Sequence, residues 1–157
     1  MRQIFALTLM VMASGCATQA ASEVRDAELS LSGVSLGDTE QAVISRLGPP
    51  EQTVQTGEGI ELKYPGLTVS TGWLEQEAPG LPRRVYELAG TGTKACTPAG
   101  VCPGMPISAA IAHYGQPLRT ERETGTFLEY YSAESSCWLQ LKAATGTVES
   151  IRVVCQP

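Results

Sequence analysis

Residues 137–155 read Cys-Trp-Leu-Gln-Leu-Lys-Ala-Ala-Thr-Gly-Thr-Val-Glu-Ser-Ile-Arg-Val-Val-Cys. Apolar and polar residues alternate on either side of Thr-Gly, which is the period of a strand and the chemistry of a turn. With Thr145-Gly146-Thr147 as a three-residue loop, residues whose numbers sum to 292 face each other. Cys137 then opposes Cys155, Leu139 opposes Val153 and Leu141 opposes Ile151 on one face. Trp138 opposes Val154, Gln140 opposes Arg152 and Lys142 opposes Ser150 on the other. Opposed antiparallel residues lie about 4.5 to 5.5 Å apart at Cα, a span that a disulfide bridges. The cysteines and the apolar pattern therefore select the same register, and a one-residue slip would destroy both. One face suits a core, and the other, mixed and carrying a single large aromatic, suits water or a partner.

Further strands are expected upstream of this hairpin, at about 118–123 and 126–132, and, earlier in the chain, at about 51–56, 59–65, 67–74 and 83–90. A repeat relates the two groups. Gly33, Val34, Gly37, Gly48 and Pro50 are answered at one offset of 67 by Gly100, Val101, Gly104, Gly115 and Pro117. Between the glycines of each copy a helix is expected. Asp38 is a candidate N-cap with Gln41 at the capping-box position, and Pro106 a candidate first helical residue. The apolar faces are Ala42, Val43 and Leu47 in one copy, and Ile107, Ala110, Ile111 and Tyr114 in the other. The expected fold class is α+β: two tandem repeats, each a short helical segment on an antiparallel sheet of three to four strands, sharing one extended sheet. The boundaries are 31–92 and 93–157.

The N-terminus carries a different message. Arg2 precedes an apolar run from Ile4 to Met12, and Ala13-Ser14-Gly15 precede Cys16. This is the order of an export signal, with a run about half the length of a membrane-spanning helix. The segment resembles a bacterial lipobox, although Ala13 stands where Leu is usual. The resemblance implies removal of residues 1–15, lipidation of Cys16, attachment to a membrane through its acyl chains and, because Ala17 is not Asp, an outer-membrane destination facing the periplasm. Two or more chains anchor stably where one is marginal. Residues 16–30 are small, polar and unpatterned, and read as a flexible tether.

About 140 residues then remain, enough for one ordinary domain. Loss of Arg2 leaves a net charge of −6, and the absence of a basic stripe argues against nucleic acid. Four cysteines are left for disulfides in an oxidising compartment. The hairpin geometry favours Cys137–Cys155, which leaves Cys96 and Cys102 to pair locally. Their spacing does not fit a zinc knuckle.

The sequence Gly-x3-Gly, short helix, Gly-x-Pro and strand meander ending in Val148-x-x-Ile151 resembles the SmpA/OmlA, or BamE-type, outer-membrane lipoproteins. Two such units in tandem with disulfides resemble the β-lactamase inhibitor protein. The resemblance covers about residues 30–156 and implies a helix-on-sheet fold. Residues Glu28–Gly33 contain neither the Tyr nor the Gln-Gly of the family's partner-binding segment, so no binding residue is carried over.

No catalytic constellation is expected, and no metal or cofactor. His113 is the sole histidine and no Gly-x-Ser-x-Gly elbow accompanies it. Glu121 and Glu123 lie among Arg119 and Arg122, the pattern of a solvated strand. Asp26 and Asp38 are the only aspartates, and Gly90-Thr91-Gly92 lacks the context of a phosphate loop. The chain is therefore read as a non-enzymatic lipoprotein, a protein-binding or scaffold module without a small-molecule substrate. Trp138 is the candidate anchor, with Tyr130, Gln140, Arg152 and Trp73 as further candidates. The alternative is a tandem-repeat inhibitor of a hydrolase, presenting the segment between Gly72 and Arg84.

Overall fold

The computed structural model describes residues 20–72 and 80–155. A short 3-10 turn, Asp26–Glu28, leads into a two-stranded ribbon of β1 (Ser30–Leu31) and β2 (Val34–Ser35). Helix α1 (Glu40–Leu47) and strands β3 (Gln52–Gln55), β4 (Gly59–Tyr64), β5 (Leu67–Gly72) and β6 (Arg84–Gly90) follow. Helix α2 (Ile107–Tyr114) precedes β7 (Leu118–Arg122), β8 (Gly125–Tyr131), β9 (Cys137–Ala144) and β10 (Thr147–Cys155). The last eight strands form one antiparallel sheet in the order β3-β4-β5-β6-β10-β9-β8-β7.

The expectation of an α+β fold in two helix-on-sheet repeats is corrected by this architecture. The described chain is mostly β, with two eight-residue helices against one continuous eight-stranded sheet. The shared sheet was expected, but the helices are too short to make each half a helix-on-sheet unit; the halves join at the centre, where β6 pairs with β10 through Leu88 with Val153 and Gly90 with Ile151. A single core runs beneath the sheet, from Leu62, Val69 and Leu88 through Val153 and Leu139 to Leu128 and Tyr130. Val43 of α1 and Ala110 and Tyr114 of α2 are buried in the same core.

The individual strands fall within a residue or two of the expected ranges, and the final hairpin keeps its expected register. Its turn differs. Thr147 pairs with Ala144, so the loop is the two residues Thr145 and Gly146, both at positive φ (48° and 84°). Such turns match the twist of the flanking strands. Glu149 is an extra residue between Val148 and Ser150, and this bulge moves the pairing onto the register that opposes Cys137 to Cys155.

The helix caps are also displaced by one residue. Thr39, not Asp38, accepts from the Ala42 amide at 3.2 Å. Asp38 instead accepts from the Ser35 amide and pairs with Arg46 at 2.7 Å. Pro106 flanks α2 in an extended conformation rather than opening it. Residues expected in the flexible tether prove to be fastened from Ser22 onward. The Ser22 and Val24 amides donate to the carbonyls of Gln116 and Tyr131, and Val24 and Leu29 are buried.

Candidate protein-binding face

In β9 the alternation sends Cys137, Leu139 and Leu141 toward the helices, and Trp138, Gln140 and Lys142 to the opposite, open face. Register carries that division across the sheet. Trp138 lies between Tyr131 of β8 and Val154 of β10, which is followed by Glu87 and Ser70. Gln140 lies between Glu129 and Arg152. Of the expected binding residues, Trp138, Gln140 and Arg152 are thus brought together on one face.

Tyr130 is not among them. It pairs with Leu139, is fully buried, and faces the helices, where its ring packs on Tyr114 at 5.3 Å. Its hydroxyl donates to the Gly115 carbonyl, and burial pushes its pKa to about 12, so it remains a donor throughout the physiological range. Tyr131 takes its place on the open face, 40% exposed and 5.8 Å from the Trp138 ring. Four successive buried residues, Phe127 to Tyr130, hide the phase of β8 from any reading of alternation. Trp73 and Cys16 lie outside the described residues, as does most of the segment between Gly72 and Arg84.

The polar groups of the open face are largely paired. Glu129 is buried, and its carboxylate accepts from Gln140 Nε2 at 2.7 Å, from the Thr120 hydroxyl at 2.9 Å and from Arg122. The Arg122 guanidinium also sits 4.9 Å from the centre of the Phe127 ring. Sequence reasoning missed Glu129. Its signal was the pairing with Gln140, which the register of β8 would have exposed. Arg152 makes a bidentate pair with Glu87 at 2.7 and 2.8 Å, and Lys142 pairs with Glu149. Among the described residues, Trp138 Nε1 is the buried side-chain donor left without a partner. Beside these pairs the face carries aromatic and apolar side chains: Trp138, Tyr131, whose hydroxyl donates to Glu129 at 3.5 Å, and the 44% exposed Leu118, which stands opposite Glu129.

The four cysteines in the described residues form disulfides, Cys96 with Cys102 and Cys137 with Cys155. No group of three or more His, Cys, Asp or Glu side chains in these residues is arranged to hold a metal. His113 is exposed on α2, and Glu121 is taken up by Arg119 and the Thr126 hydroxyl. No described helix is long and apolar enough to cross a membrane.

No protein-family model matches the chain, and no curated protein matches it. Among solved structures, a DUF4309 family protein (YjgB) from Bacillus subtilis superposes with a TM-score of 0.51 at 14% identity, over 79% of this chain and 83% of that one. An extracellular protein containing an SCP domain from Bacillus anthracis gives 0.45 at 11% identity, and a cysteine-rich secretory protein from Staphylococcus aureus gives 0.42 at 12%. These alignments cover 94% and 77% of this chain but 50% and 43% of the other two. The first likeness is one of fold alone. None of the three is described as an SmpA/OmlA-type lipoprotein or a β-lactamase inhibitor.

Proposed function

We propose that the chain is an exported lipoprotein, acylated at Cys16 and held on the outer membrane facing the periplasm, whose open sheet face binds a protein. The binding function is non-catalytic. The observation that carries this reading is the Tyr131–Trp138 pair on the face turned away from the core, bordered by charges already neutralised within the chain. Aromatics that are packed yet accessible are the usual anchors of protein interfaces. Preformed ion pairs around them present little net charge and cost little further ordering when a partner docks. The buried indole N–H of Trp138 supplies a donor that a partner carbonyl can satisfy after a small shift of the ring.

Two measurements test the two halves of the reading. The mass of the mature N-terminal peptide should show a diacylglyceryl or triacyl cysteine at position 16, and an unmodified Cys16 would refute the anchor. Trp138→Ala should lower stability by only about 1 kcal/mol, since the side chain covers Val154 rather than filling the core, while weakening partner capture at least tenfold. A cost of more than about 3 kcal/mol would mark Trp138 as a structural residue.

A further inference from the structure

The segment from Ser22 to Leu31 is a strap across the β8–β9 end of the sheet. The Ser22 amide donates to the Gln116 carbonyl at 2.7 Å. Val24 is bonded in both directions, donating to the Tyr131 carbonyl and accepting from the Ala133 amide, each at 2.9 Å. The Asp26 carboxylate accepts from the hydroxyls of Ser132 and Ser135 at 2.5 and 2.6 Å, and the Asp26 amide donates to Glu134. Glu28 takes the Tyr114 hydroxyl at 3.1 Å, and Leu29 and Leu31 enter the core. Even Gly115 is fitted to the strap, because a Cβ there would lie 2.3 Å from Ser22 Oγ.

We propose that this strap makes the lipid anchor a short mount, holding the corner of Leu118, Tyr131 and Ser132 close to the bilayer, so that the open face meets a protein of that same membrane. The inference rests on acylation of Cys16 as proposed above. Six residue steps separate Cys16 from Ser22, a maximum reach of about 20 Å. An unfastened tether reaching to Ser30 would more than double that limit. The far edge strand, β3, is seven strand spacings from β7, on the order of 34 Å more distant. The aromatic pair lies at the mounted end, since the Tyr131 backbone is itself a strap contact. Confinement to one surface raises the effective concentration of two such proteins for each other. The lipid surface is a poor occupant for this face. The chain is net acidic, and the arginines flanking the aromatics are already paired with Glu129 and Glu87.

The test uses the full chain, purified in its membrane-processed form, its N-terminal mass recorded, and reconstituted in vesicles carrying an acceptor-labelled lipid. A donor dye is placed at Arg119→Cys on β7 or at Gln52→Cys on β3, both exposed. Energy transfer should be at least about twofold greater from position 119, given the width of the sheet. A second protein, with about twenty Gly and Ser residues inserted before Ala20, keeps the strap and should lose the difference. In cells, that insertion should also reduce several-fold the crosslinks formed from Tyr131 to a membrane-resident protein. Equal transfer from the two edges of an acylated chain overturns the mount and leaves the anchor standing. Crosslinks to lipid, or to a soluble protein regardless of the insertion, overturn the membrane-protein partner. An N-terminal mass without acyl groups overturns the anchor, and the mount falls with it.

Discussion

Asp26 sits at the surface, yet the hydroxyls of Ser132 and Ser135 donate to its carboxylate and hold its pKa below the ordinary value of 3.8. A carboxylate depressed in the folded state stabilises it above the unfolded pKa, and the contribution disappears as pH falls through the lower folded value. Protection of the Val24 amide, measured by hydrogen exchange corrected for intrinsic rate, should therefore be flat from neutral pH to about 4.5 and decline below. Asp26→Asn should lower the protection and remove that acid-dependent step. An identical pH profile in the two proteins would show that Asp26 does not latch the strap. The strap itself was not legible in sequence. Its holding groups are backbone amides, serines and one aspartate, residue types equally at home in a linker, and only Val24, Leu29 and Leu31 hint at burial. Tyr130 and Tyr131 teach the same lesson, since composition offers two adjacent tyrosines and only the pairing of Tyr130 with Leu139 says which one faces the helices.

At the scale of elements, the β9–β10 hairpin was readable because independent chemistries converged on it. Opposed cysteines and alternating apolar residues specify one register, and the unforeseen bulge at Glu149 brings the pairing started by the two-residue Thr-Gly turn onto it. The helices were legible in position through the positive-φ glycines that end them, Gly48 and Gly115, where the chain turns away from the helix axis (φ 83° and 82°). Their weight in the fold was not, because eight residues of helix bury few side chains beside the core supplied by the sheet. The Cys137–Cys155 bridge closes 18 residues and ties the two strands at their open end. Replacing both cysteines by alanine should lower the unfolding free energy by about 3 kcal/mol in urea titration, more than loss of the six-residue Cys96–Cys102 loop, which should cost about 2 kcal/mol. The hairpin should keep its register, since Leu139–Val153 and Leu141–Ile151 still pair. A register shift in cross-strand NMR contacts would show instead that the bridge, and not the apolar pattern, sets the pairing.

Over the whole molecule, one sheet separates two surfaces of different chemistry. The helices close the core on one side, and the open side gathers Leu118, Tyr131 and Trp138 at the end held by the strap. Joining β6 to β10 matters for this arrangement, because it makes the two halves one continuous sheet, which the proposed anchor at one edge would orient as a whole. Photocrosslinking in intact cells distinguishes the open face from the helical face as the one that meets a protein partner. A photoreactive residue replaces either Tyr131 on the open face or Gln41, exposed on α1. One discrete protein adduct should form from position 131, absent from position 41 and lost when Trp138→Ala is added. Adducts of the same size from both positions, or an adduct at 131 that persists without Trp138, would contradict binding through the open face.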